Sequence, residues 1–129
     1  MTVISTFQVE NTRKRPYLVT SDLAQVATAD SIELEISSIA NYPHCFLSVH
    51  LLDGAGSPTT ASAGTFTVTI RLLTGQVFEA PCSGNTVDAT ALTSVSFGAN
   101  VVAVRVTQSG VVGPTQWRIV LAGNQQFEK

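Results

Sequence analysis

Histidine, cysteine and carboxylate side chains lie close together in two short stretches of this sequence, and they are the residues whose types could support chemistry. The run "HCFLSVH" holds His44, Cys45 and His50, and imidazole and thiolate are common Zn²⁺ ligands. The alternating pattern around them predicts a strand, on which His44 and His50 share a face about 20 Å apart, at about 3.3 Å per residue. Cys45 then points to the opposite face. We therefore expect no metal site in this run.

The second cysteine, Cys82, has no neighbouring cysteine with which to form a zinc knuckle. The chain contains no G-x-S-x-G nucleophile elbow, and a pairing of either cysteine with His50 has no local signature. The glycines of "GAGSPTTASAG" lack the spacing of a dinucleotide or phosphate loop. The sequence therefore predicts a protein that is not an enzyme, with no catalytic residue, no metal and no cofactor.

Two carboxylates, Glu33 and Glu35, lie two residues apart in "SIELEISSI". On a strand they would point to the same outward face about 6.6 Å apart, at about 3.3 Å per residue. Such a pair could hold a cation or act as an acid–base couple. We interpret it instead as the solvated face of an edge strand, where charge discourages pairing with another sheet.

The composition favours contact with other proteins. Charged residues make up 12% of the chain, against about 25% in an average protein, so a polar but weakly charged surface is expected. The formal net charge of -2 argues against nucleic acid as a ligand. No apolar run approaches the roughly 20 residues of a membrane span, and no signal peptide is visible. In a reducing cytosol Cys45 and Cys82 are expected to be thiols, with a disulfide between them as the alternative.

Period-2 alternation of apolar residues dominates the chain and predicts strands. In "GTFTVTIRLL" one face carries Phe66, Val68 and Ile70, and the other carries threonines and Arg71. Eight or nine such strands with short turns predict an all-β fold, a single antiparallel β-sandwich of jelly-roll type. "GTFTVTIRLLTGQVFEA" is predicted to form one hairpin, and "NVVAVRVTQ" with "QWRIVLAG" a second. The segment "SDLAQVATAD" is compatible with a short helix, a strand or a loop.

Two loops are expected to be exposed, because they are rich in Gly, Ser, Thr and Ala: residues 53–64 and residues 83–91. The first of them offers no apolar anchor and is expected to be mobile. Residues 1–15 are expected to form an N-terminal arm or strand, and residues 16–129 the sandwich domain.

Several residues are candidates for contact with a partner. Arg13, Lys14 and Arg15 form a basic run before Pro16, interpreted as a polar bend whose charges meet an acidic surface on a neighbouring subunit. Trp117 is expected in the core, because it is in phase with the apolar positions of its strand. The remaining candidates are tyrosines expected to be exposed, and apolar residues out of phase with the core: Tyr17, Tyr42, Leu73, Val101, Val111, Val112 and Val120.

The hairpin sequences "GTFTVTIRLLTGQVFEAP" and "NVVAVRVTQSGVVGPTQWRIVLAG", with Ser/Thr/Ala-rich loops between them, resemble small all-β structural proteins of tailed bacteriophages. These are head decoration (cement) proteins and the sandwich domains of tail fibres. The resemblance covers residues 64–123. It implies a trimeric virion component that binds other virion proteins and has no active site.

The sequence thus predicts a non-enzymatic capsid decoration protein, assembled in the host cytoplasm and located on the virion. It would bind the major capsid protein or other virion proteins, as a homo-oligomer with a trimer favoured, and would bind neither nucleic acid nor membrane. Burial of apolar surface would hold the assembly together, strengthened by exchange of the N-terminal arm. The alternative is a tail-fibre module that binds a receptor or a glycan.

Overall fold

The computed structural model describes residues 2–7, 17–36, 44–72, 78, 85–97 and 101–124. Ten strands account for most of this part of the chain, and no helix occurs within it. The strands are β1 (Thr2–Phe7), β2 (Tyr17–Thr20), β3 (Ala24–Gln25), β4 (Ser31–Ile36), β5 (His44–Leu52), β6 (Ala63–Leu72), β7 (Thr86–Asp88), β8 (Val95–Phe97), β9 (Val101–Val112) and β10 (Gln116–Asn124).

The strands form two sheets that pack against each other. Sheet A has the order β1-β4-β9-β6-β7, and sheet B has the order β2-β10-β5-β8, with β3 also paired to β10. The predicted all-β sandwich is confirmed. Every pair is antiparallel except β1 with β4, which is parallel over six residues.

The chain passes from one sheet to the other at almost every connection. For example, β4 lies in sheet A and is followed by β5 in sheet B, and β9 lies in sheet A and is followed by β10 in sheet B. Among the described strands, only β2 with β3 and β6 with β7 follow each other within one sheet. The fold is therefore stabilised mainly by pairs between strands distant in sequence.

The predicted hairpin of β9 and β10 is wrong, because the two strands lie in different sheets. Gly113, with a φ of 116°, and Pro114 stand at the turn between them. The backbone groups beside this turn pair with other segments: Ser62 N donates to Val112 O at 2.9 Å, and Thr115 N donates to Leu52 O at 3.0 Å.

The partner strand of the other predicted hairpin, "QVFEA", lies outside the described residues apart from Phe78. The possible helix in "SDLAQVATAD" is instead β3 followed by a turn.

The core consists of the inward-facing apolar side chains of the strands in both sheets. Trp117 is fully buried, as predicted, and its ring lies 5.3 Å from that of Phe66, centroid to centroid, across the two sheets. Val101 was expected to be partly exposed and is instead buried in the core. The pairing of β6 with β9 shifts register between Arg71 and Leu72, and this irregularity places Val101 opposite Leu72.

The loop of residues 53–64 is largely exposed, as expected, but it is tied down at several points. Asp53 Oδ1 accepts hydrogen bonds from Ala55 N and Ser57 N, both at 2.9 Å. Pro58 forms a bridge with Leu52, and Thr59 N donates to Leu51 O at 3.0 Å. The expectation that this loop has no apolar anchor is wrong, because the side chain of Ala61 belongs to the core cluster.

Gly64 provides a test of how closely β6 and β9 approach each other. Its φ of 116° is strained for other residues, and an added Cβ would lie 2.5 Å from Val111 Cα. Gly113 has the same φ, but there the nearest atom to an added Cβ is Thr60 O at 3.3 Å. Both Gly→Ala changes should cost about 1–3 kcal/mol of strain, and Gly64→Ala should cost about 1–3 kcal/mol more from the clash. Urea denaturation measures both losses. Equal losses would contradict the close approach.

Candidate functional site

The outer face of sheet B carries a line of apolar side chains, which we call the apolar row: Leu18, Ala122 and Phe46. Leu18 on β2 is opposite Ala122 on β10, and Ala122 is opposite Phe46 on β5. Leu18 is 69% exposed and Phe46 43% exposed, although both lie in regular strands. Their chain neighbours Val19 and Leu47 are buried in the core, because successive side chains of a strand point to opposite faces. The apolar row is therefore a continuous feature of the sheet surface.

The rest of this face is weakly polar. In the next register row, the half-buried Val120 lies between Thr20 and Ser48. The hydroxyl of Ser48 lies 3.2 Å from that of Ser94, which continues the row towards β8. Apolar area of this kind, flanked by hydroxyl groups rather than charges, is inexpensive to remove from water. The face is suited to contact with another protein surface.

Positive charge stands at one end of the same face. His50 on β5 is directly opposite Arg118 on β10. Burial and the neighbouring Arg118 guanidinium both lower the pKa of His50, so the imidazole is neutral at pH 7 and Arg118 is the cation of this pair. The Nε of Arg118 is buried and has no hydrogen-bond partner among the described residues. An acidic group on a partner would complement this guanidinium.

The outer face of sheet A is different in chemistry. Threonine and serine hydroxyls dominate it, and one register row crosses all five strands with hydroxyl side chains only: Thr2, Ser31, Thr107, Thr67 and Thr86. The first two hydroxyl oxygens lie 2.7 Å apart. This surface is well hydrated and offers little apolar area to a partner.

An ion pair crosses the middle of sheet A. Arg105 Nη2 and Nε donate to Glu33 Oε1 at 3.0 and 3.2 Å, and the Glu33 side chain is only 8% exposed. The Arg105 guanidinium also lies over the Phe78 ring, 4.0 Å from its centroid, which is a cation–π contact. The interpretation of Glu33 as a solvated residue of an edge strand is wrong, because β4 is flanked by β1 and β9 and the carboxylate is buried. Glu33 and Glu35 do not form a cation site together, because the Glu33 carboxylate is paired with Arg105.

A groove of about 480 Å³ lies between the turn after β3 and the β9–β10 connection. Its lining includes two of the predicted contact residues, Val111 and Val112, with Val26 and Pro114 on the other parts of the wall. Val112 is 55% exposed and Val111 is half-buried against the core. The structure thus places these two valines in one apolar groove, away from the apolar row.

The other predicted contact residues are placed as follows. Arg13, Lys14, Arg15, Tyr42 and Leu73 lie outside the described residues. Tyr17 begins β2, opposite Gly123, but its side chain is also outside the described part of the structure. The thiol of Cys45 is buried in the core, on the opposite face of β5 from His50, and Cys82 lies outside the described residues. In the ranges given above, no group of three or more His, Cys, Asp or Glu residues is placed to hold a metal ion, and no helix could cross a membrane.

Sequence reasoning missed Leu18 and Phe46 as candidate contact residues. Each is directly followed by an apolar core residue, so two neighbouring positions of opposite phase are both apolar. That pattern also fits a strand buried on both faces, so periodicity could not separate the two situations. The register of β2, β10 and β5 was needed to bring the two side chains into one row.

The ion pair on sheet A predicts an unequal effect of two arginine substitutions. Arg105→Ala leaves the buried Glu33 carboxylate without its partner and should cost about 1–3 kcal/mol of stability. Arg71→Ala removes only a guanidinium 5.9 Å from the Phe78 centroid and should change stability by less than about 0.5 kcal/mol. Chemical denaturation compares the two, and adding Glu33→Gln to Arg105→Ala should restore part of the loss. Similar losses for both arginines would show that the ion pair is unimportant.

The lowered pKa of His50 predicts a pH dependence of stability. Because the folded protein binds the proton more weakly than the unfolded chain, stability should be unaffected above pH 6.5. It should fall as the pH decreases from 6.5 through the lower pKa of the folded state. His50→Gln should flatten this part of the profile, measured as urea midpoints between about pH 7.5 and 5. Parallel profiles for both proteins would contradict the assignment.

Comparison with known proteins adds the family. Searches of curated proteins and of solved structures each gave no match. A family model described as "Domain of unknown function (DUF7265)" matches residues 17–126, which include nine of the ten strands and exclude β1. The match covers most of the chain, and the protein belongs to the DUF7265 family.

Proposed function

We propose that the protein is a non-enzymatic structural subunit of a viral particle, a decoration protein that attaches to the outside of a bacteriophage head as a homo-oligomer. The observation that carries the proposal is the apolar row on sheet B. A monomeric protein has no need to keep Leu18 and Phe46 exposed in one register row on either side of Ala122, whereas a subunit of an assembly buries them.

The chemistry of this face indicates the kind of surface that it contacts. Among the described residues of this face, the charge lies at the Arg118 end, so docking would remove few ionised groups from water. The partner surface would be apolar at its centre, opposite Leu18 and Phe46, with a carboxylate placed to reach Arg118. The partner that we propose is the major capsid protein or another virion protein. The basic run Arg13–Arg15 would add a second contact to acidic groups at the rim.

The tail-fibre alternative rests on the exposed ring of Phe46. Sugars stack on exposed aromatic rings, and Phe46 presents such a ring on a sheet face. Its neighbours in the apolar row are Ala122 and Leu18, which offer a sugar no hydrogen bonds. The row therefore favours a protein partner. Binding to a glycan array that Phe46→Ala abolishes would reverse this preference.

Substitution of the apolar row tests the proposal. We expect the purified protein to form oligomers at micromolar concentration and the Leu18→Lys/Phe46→Lys variant to be smaller in light scattering, because two ammonium groups would have to be buried. Leu92→Lys is the matched control, since Leu92 is 37% exposed and lies in the β7–β8 connection away from the row. Circular dichroism and urea midpoints show that the variants remain folded.

Two results would oppose the proposal. A wild-type protein that is monomeric at micromolar concentration would count against assembly, and an equal effect of Leu92→Lys would remove the apolar row from the interface. The genes beside this one provide independent evidence: a major capsid gene supports a head protein, and a tail or lysis module supports a fibre.

A further inference from the structure

The strand β1 differs from all other strands of the molecule in two respects. Its pairing with β4 is parallel, whereas every other described strand has an antiparallel partner, and it lies outside the range 17–126 that matches the family model. Sheet A of the matched domain would therefore end at β4 if β1 were absent. The edge of β4 is thus the place where β1 extends sheet A beyond the residues that the family model matches.

The edge of β4 requires such an addition. Ile32 and Leu34 are fully buried, and Ser31 and Glu33 are nearly so. Without β1, the outer backbone N–H and C=O groups of β4 would have no partners, next to the buried Glu33 carboxylate. Unpaired strand edges recruit other strands, and a strand added to an edge gains main-chain hydrogen bonds that do not depend on its sequence.

Among the described side chains of β1, few contacts add to this ladder. Two inward-facing side chains have described contacts: Val3 packs against the core while remaining partly exposed, and Ser5 Oγ accepts a hydrogen bond from Asp22 N at 3.3 Å. The outward-facing Ile4 is 55% exposed on the otherwise polar face of sheet A. An identical strand from a second chain would make every one of these contacts equally well.

The connection after β1 sets how far the strand can reach. Residues 8–16 separate β1 from β2, and nine residues span at most about 30–32 Å when extended. We propose that β1 is exchanged between copies of this chain, so that Thr2–Phe7 of one copy pairs in parallel with β4 of another. The proposal deepens the assembly described above and rests on it, because a row of docked copies provides the high local concentration that favours exchange.

A disulfide between the two strands distinguishes exchange from pairing within one chain. Thr2 is opposite Ser31, and their hydroxyl oxygens lie 2.7 Å apart. Sulfur atoms at these positions are within reach of a bond of about 2.05 Å. The double variant Thr2→Cys/Ser31→Cys is oxidised under mild conditions as the full chain and run on a non-reducing denaturing gel. Thr2→Cys and Ser31→Cys alone are the controls for the native cysteines.

The exchange predicts that the double variant forms covalent oligomers as its main product, whereas the single variants do not. A covalent monomer of altered mobility would overturn the proposal, because β1 would then pair with β4 of its own chain. A double variant that forms no crosslink would overturn it as well, since β1 would pair with no β4. Light scattering of the unoxidised sample shows whether the chain forms oligomers at all, so it distinguishes a failure of strand exchange from a failure of the proposed assembly. Oligomers with an intramolecular crosslink leave the assembly standing, and monomers with an intramolecular crosslink contradict both.

Discussion

Burial of apolar side chains between two sheets is the interaction on which the rest of this structure depends. The strands β5 and β10 contribute Leu47, Val49 and Ile119 from one side, and β6 and β9 contribute Phe66 and Val104 from the other. Since consecutive strands mostly belong to opposite sheets, the connections cross from one layer to the other around this core. Because successive side chains of a strand point to opposite faces of the sheet, every second side chain points outward. These outward-facing side chains determine what each face of the molecule can contact.

The two outer faces have become specialised in different ways. Sheet A presents hydroxyl groups and an ion pair, in which the buried Glu33 carboxylate and the Phe78 ring both contact Arg105. Sheet B presents Leu18, Ala122 and Phe46, and among its described outward residues the charge lies at Arg118. A sandwich with one hydrated face and one apolar face has a built-in orientation towards a partner. This asymmetry, rather than any cluster of reactive groups, is the basis of the function proposed for the protein.

Much of the fold could be predicted from the sequence, because alternation with period 2 reports directly which residues face the core. Trp117, Phe66 and Val68 were assigned in this way. Strand pairing could not be predicted, since the short connection at Gly113 is compatible with a hairpin and with a crossing between sheets. The assignment of Val101 was wrong because a local shift of register between strands does not change the alternation of apolar and polar residues in the sequence. Glu33 was misplaced for a related reason: only its long-range partner Arg105 makes a buried position tolerable for a carboxylate.

The position of β10 has a consequence for how the chain is made. This strand is the tenth of the ten, yet it stands in the middle of sheet B, between β2 and β5. A ribosome therefore delivers β2 and β5 long before the strand that joins them, and in the interval their ladder edges have no partner in sheet B. Sheet B can therefore be completed only after β10 has been made. Until then, the edges of β2 and β5 that face β10 are open to pairing with other strands, which favours aggregation.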